Sequence, residues 1–153
     1  VALTGSRESG RIYSIASAYQ FWIELDGMFV AGFSEASGLE AETEIEEYRE
    51  GGMNGFVHRL PKGIRYQNIV LKRGMTQSAL LWSWYESTMN GSIERMNGAI
   101  VLLSPDGSEF GRWNFFDAYP VRWSGPQLNA STSDVAFETI EIAHNGLKGV
   151  FNG

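Results

Sequence analysis

Two histidines, His58 and His144, and the glutamates Glu40, Glu42, Glu44, Glu46, Glu47 and Glu50 are the residues of this 153-residue chain whose types suggest chemistry. Neither set has the spacing a reaction needs. With no cysteine in the chain, disulfides, thiolate metal sites and thiol nucleophiles are all excluded. A metal held by two histidines would have to borrow carboxylates through the fold, so structural hydrogen bonding is the expected role of both rings. The segment Gly32-Phe33-Ser34-Glu35-Ala36 lacks the closing glycine of a nucleophile elbow, and no phosphate-binding glycine loop or HExxH pattern occurs. The sequons Asn90-Gly91-Ser92 and Asn129-Ala130-Ser131 are read as chance matches, because no apolar leader accompanies them. The expectation is no enzyme, no catalytic residue, no cofactor and no metal.

The glutamates are better read as a surface. If residues 39–50 form a strand, alternation puts Glu42, Glu44 and Glu46 on one side and Thr43, Ile45 and Glu47 on the other, so one face is acidic. Helix propensity favours Glu and Ala, but no apolar stripe at helical spacing accompanies them. The whole chain is acidic too, with a formal net charge of -6 and a pI near 4.9, which argues against a surface that coats nucleic acid.

The elements that would carry this surface are mostly strands. Eighteen glycines and 13% aromatic residues suit an all-β protein with many turns. Residues 1–17 are expected to be a flexible or partner-docked arm, with a single domain over 18–153. Tyr19, Phe21, Ile23 and Leu25 alternate with polar neighbours, Asp26-Gly27 signals a tight turn, and Met28 to Ser34 reads as the returning strand. Gly51 to Lys62 reads as a loose glycine-rich connection, and Ile64 to Arg73 as one strand. A single helix is expected at about 77–90, capped by Thr76, stopped by Gly91, and carrying an apolar stripe wide enough to need cover on most of its surface. Strands follow at Glu94–Ser104 and Glu109–Asp117, and the stretch 112–131 followed by 134–144 holds two aromatic and β-branched runs with a corner between them marked by Pro120, Gly125 and Pro126. Apolar residues change phase within 64–73 and again between Val135/Phe137 and Ile140/Ile142, which calls for a bulge or for strands covered on both faces, with Trp123 and Phe137 expected to be buried. About eight strands and one helix make a sandwich or barrel.

The run WNFFDAYPVRWSGPQLNA at 113–130, with VAFETIEIAHNGL at 135–147, resembles the tail-tube proteins of contractile phage tails and related phage-tail-like injection systems. The resemblance continues upstream through LPKGIRYQNIVLKRGMT and YQFWIELDGMFVAGFSEASGLEAETEIEEYREGG, and so covers about Tyr19 to Val150. It implies two packed antiparallel sheets in a tail-tube-like β-barrel or sandwich, with one α-helix at the side. It also implies hexameric rings closed edge to edge around a lumen and stacked into an inner tube. Sheath, baseplate and terminator proteins would be the partners, with DNA or protein cargo in the lumen. Such a protein is made in the bacterial cytoplasm and assembled into a phage tail or an extracellular injection particle. No run of the ~20 apolar residues needed for a membrane span occurs.

On that resemblance, Glu42, Glu44 and Glu46 are candidates to line the lumen. Met53, Phe56, Arg59 and Leu60 are candidates for contact with the next ring. Trp82, Trp84, Tyr85, Trp113, Trp123 and Phe137 are candidates for the core or for contacts between subunits. The alternative is a stand-alone ligand-binding β-barrel with Trp82, Trp84, Trp113 and Trp123 around a cavity.

Overall fold

The structure is a computed structural model that describes residues 6–8, 11–13, 20–30, 32–49 and 57–151. Its longest element is β10, Glu109–Ser124, and the two halves of β10 belong to different parts of the molecule. The first half pairs with β9 (Met96–Leu103) and β12 (Leu147–Phe151), and the second with β11 (Phe137–Ala143). Register shifts between Phe115 and Ala118 and between Pro120 and Arg122 bend the strand, and Asp117 takes a positive φ of 53° at the first of them. Bulges of this kind increase twist and re-aim a strand. One strand therefore serves two sheets, in the order β4-β3-β9-β10-β11-β8-β5.

β3 (Phe21–Leu25) turns at Asp26-Gly27, both with positive φ, into β4 (Met28–Val30), as a tight two-residue hairpin turn requires. The returning strand is shorter than expected, because after Gly32 (φ 89°) the chain leaves for the other sheet as β5 (Phe33–Ser37), paired with β8 (Ile69–Gly74). Between these two strands lies a separate hairpin of β6 (Ala41–Arg49) and β7 (Val57–Tyr66). Another small hairpin joins β1 (Ser6–Glu8) to β2 (Arg11–Tyr13), inside the stretch expected to be an arm.

Side chains from both halves meet in one core of Ile23, Leu25, Ile100, Phe115, Ile69, Leu71, Ile140 and Ile142, all 3% exposed or less. The phase changes have a simpler cause than two covered faces. Gln67 and Asn68 separate β7 from β8, so 64–73 is two strands with independent faces. In β11 the alternation is regular, with Glu138, Ile140 and Ile142 buried, while Val135 lies outside the strand and is 69% exposed. Phe137 accordingly sits half-buried on the opposite face, with the Lys72 ammonium 4.6 Å from its ring centre.

The helix α1, Leu80–Met89, starts three residues later than expected. Thr76 is used up by a turn ahead of it, where its hydroxyl accepts from the Ser78 amide at 3.1 Å. Gly91 ends it at φ 83°, its amide donating to the Thr88 carbonyl. Leu81 and Trp84 are buried, and the Trp84 indole donates to the Glu94 carbonyl at 2.7 Å. The rest of the stripe is less covered than its width led one to expect, for Trp82 is 40% and Met89 53% exposed.

Candidate functional site

The β6–β7 ribbon stands apart from the large sheet. All nine residues of β6 and nine of the ten in β7 are exposed, and among the described residues no strand pairs with either outer edge. At about 3.3 Å per residue it is roughly 30 Å long. Gly51 to Lys62 was expected to be loose throughout, but the strand already begins at Val57, because residues from 57 on find ladder partners on β6. Arg59 and Leu60 are strand residues, whereas Met53 and Phe56 lie outside the described residues.

Residues directly opposite in an antiparallel ladder share a face. One face therefore carries Glu42 with Arg65, Glu44 with Gly63, Glu46 with Leu60, and Tyr48 with His58. The other carries Ala41 with Tyr66, Thr43 with Ile64, Ile45 with Pro61, Glu47 with Arg59, and Arg49 with Val57. A register shift at Lys62 keeps the two halves of this pattern in phase. The first face is polar and acidic. The second sets exposed apolar side chains, Ile45 at 50%, Ile64 at 62% and Val57 at 38%, beside Glu47, Arg59 and Arg49. A free monomer gains nothing by leaving those apolar side chains in water.

The root of the ribbon is fixed. The Gln67 amide donates to the Glu40 carbonyl, and the Asn68 side-chain amide donates to Glu141 at 3.2 Å. His144 lies beside them, its ring nitrogens 3.2 Å from the Gly146 carbonyl and 3.0 Å from that of Gln67. Gly38, at φ 91°, leaves no room for a side chain, since a Cβ there would lie 2.0 Å from the Asn68 carbonyl oxygen.

The remaining aromatic candidates are dispersed. Trp82 meets Trp123 edge-on at 4.9 Å, Trp113 meets Phe151 at 5.3 Å, and Trp84 is in the core. Three surface hollows of about 400, 370 and 220 Å³ are lined by none of these four tryptophans. Trp123 is half-buried, and its indole donates to Glu138, which also accepts from Arg73; Tyr85 is half-buried on α1. On the outer face of the other sheet, Arg112 is held between Glu24 and Glu109, and its hydrogen bonds draw the Glu109 carboxyl below its ordinary pKa. Among the described residues no group of three or more metal-binding side chains occurs, and no helix is long and apolar enough to cross a membrane.

A family model described as T4-like virus tail tube protein gp19 matches residues 17–148. The chain belongs to this tail-tube family. Its role is that of a structural tube protein. No curated protein matches it by sequence. Among solved structures, it is similar to a chain of the six-fold symmetrised baseplate of the anti-feeding prophage, with 25% identity, a TM-score of 0.79, and coverage of 91% of this chain and 97% of that one. A chain of the sheath–tube complex of the extracellular contractile injection system PVC, in its extended state, has 23% identity, a TM-score of 0.81, and coverage of 90% and 93%. A chain of the tube-terminating cap of the anti-feeding prophage has 22% identity, a TM-score of 0.83, and coverage of 93% and 95%. The last two share the fold of this tail-tube chain.

Among the ribbon residues, sequence reasoning singled out Glu42, Glu44, Glu46, Arg59 and Leu60 but not Lys62 and Arg65. Their signal was present, two cations three residues apart in LPKGIRY, yet it acquires meaning only once β7 is known to lie beside the glutamates. The buried Arg73–Glu138 pair was missed for a different reason. Nothing in a linear sequence marks those two residues as partners across 65 positions.

Proposed function

We propose that this tail-tube protein forms six-membered rings that stack into an inner tube, and that the β6–β7 ribbon is what joins one copy to the next. The observation that carries this reading is the ribbon's exposure on both faces, with neither outer edge paired among the described residues. Open edges and exposed apolar side chains are hazards for a lone domain, and ring closure removes both at once. The polar face, with Glu42, Glu44 and Glu46, then lines the lumen, while Ile45, Ile64 and Val57 are covered by the neighbouring copy. The segment joining β6 to β7, with Met53 and Phe56, and the adjoining Arg59 and Leu60 make contact with the next ring.

Two of the similar proteins come from a sheath–tube complex and a tube-terminating cap, and a third from a baseplate with six-fold symmetry. The reading extends those settings to this chain: a sheath around the tube, a baseplate and terminator at its ends, and DNA or protein cargo inside. It gives the chain a mechanical role and no catalytic one. The particle is a phage tail or an extracellular injection system.

Negative-stain electron microscopy of the purified protein, with light scattering after size exclusion, tests it. Rings or tubes of six-fold symmetry are expected. A protein that stays monomeric or dimeric at high concentration, as a ligand-binding barrel would, overturns the reading.

A further inference from the structure

The two strands of the ribbon carry opposite charge. β6 has Glu42, Glu44, Glu46 and Glu47 against the single cation Arg49, while β7 has Arg59, Lys62 and Arg65 and no carboxylate. Part of this charge is already used inside the ribbon. Arg65 donates to Glu42 at 3.0 Å, and Arg59 stands opposite Glu47. The outer edge of each strand nevertheless presents a clear excess of one sign to whatever comes next.

Two kinds of edge-to-edge joint are open to such a ribbon, and both run antiparallel. In an isologous joint, related by a two-fold axis, β6 meets β6 or β7 meets β7. In a heterologous joint, β6 of one copy meets β7 of the next, and repetition of the joint closes a ring. Backbone hydrogen bonding accepts either. Charge does not: β6 on β6 sets glutamates against glutamates, and β7 on β7 sets cations against cations, while β6 on β7 pairs them. Like charges placed opposite in a ladder are destabilising, and opposite charges are favourable.

We propose that this charge segregation is the device that gives the joint its direction, selecting the acidic edge of one copy against the basic edge of a second copy and rejecting the two-fold dimer. The inference rests on the ring reading above and adds to it which edges meet and why the wrong pair is refused. Specificity here comes from repulsion in the alternative as much as from attraction in the joint.

The decisive variant exchanges the charges of the two strands. It carries Glu42→Lys, Glu44→Lys and Glu47→Lys together with Arg59→Glu, Lys62→Glu and Arg65→Glu. The attraction within each ribbon is preserved, as is the complementarity between identical copies. All six side chains are exposed, so a thermal melt of the unassembled variant should match that of the native chain. Against a native neighbour, however, every joint becomes acid on acid or base on base.

Native and exchanged proteins, differently tagged, are dissociated, mixed in equal amounts and reassembled at low salt, and rings pulled down by one tag are assayed for the other. Self-sorting is expected, with mixed rings depleted at least about tenfold below random. Near 1 M salt, where charge is screened beyond about 3 Å, the depletion should vanish. Random mixing at low salt overturns the inference, as does an exchanged protein that melts normally but makes no rings of its own. Either result differs from failure of the ring reading itself, in which the native protein forms no rings at all.

Discussion

Two of the arginine–glutamate pairs among the described residues have nearly equal length and opposite settings. Arg73 and Glu138 are 3.1 Å apart and each is 2% exposed, while Arg65 and Glu42 are 3.0 Å apart with side chains 60% and 63% exposed. The first lies between β8 and β11, where Trp123 donates to the same carboxylate and Arg73 also reaches the Ser78 carbonyl at 3.3 Å. Every charged group there has a partner, because an unpaired one would carry its full desolvation cost. In the ribbon, water screens the pair and it contributes little to folding. The same chemistry thus fixes a body in one place and is left over for assembly in the other.

The comparison is tested most severely by Glu138→Leu, which leaves Arg73 buried without its carboxylate. A loss of about 3–5 kcal/mol in denaturant melts of the unassembled protein is expected. A loss under about 1 kcal/mol would mean that water reaches the pair and that body and ribbon do not differ as argued. Gly38→Ala probes the boundary between the two regions. A methyl there meets the Asn68 carbonyl on a backbone at φ 91°, so about 1–3 kcal/mol should be lost, with faster amide exchange at Gln67 and Asn68. Full stability with unchanged exchange would place the ribbon's root elsewhere.

Smaller effects sharpen the contrast. Phe137→Ala removes a half-buried ring on the outer face of β11, and about 1 kcal/mol is expected instead of the 3–5 kcal/mol of a core phenylalanine. A core-sized loss would mean that this face is covered even in the unassembled chain. Least of all should come from Glu42→Gln, Glu44→Gln and Glu46→Gln combined, within about 0.5 kcal/mol in the unassembled protein. Rings should still form, with a share of two-fold β6–β6 dimers beside them and less dependence on salt, since neutral side chains remove both the attraction in the joint and the repulsion that refuses the wrong pair. Unfolding of this variant in the melt would show that the carboxylates hold the ribbon's own structure, and the lumen assignment would fall.

Local signals in the sequence were enough to locate β3 and its Asp26-Gly27 turn, the glutamate strand, the helix with its Gly91 stop, and the aromatic run that became β10. Each depends on neighbours within a few residues: an alternation, a positive-φ turn, a stripe. The resemblance of the motifs across Tyr19 to Val150 pointed to the tail-tube family because several of them recur in the same order, which no single local pattern supplies. The acidic face of β6 was also legible, since alternation needs only the sequence. Tertiary structure alone decided what lies beside what. It divided 64–73 into β7 and β8, buried Glu138 and left Phe137 half-exposed, gave Arg73 its partner 65 positions away, and laid the cations of β7 against the glutamates of β6. Those outcomes depend on pairing across the chain, and a strand's own residues do not say which strand will lie next to it or which of its faces will meet water.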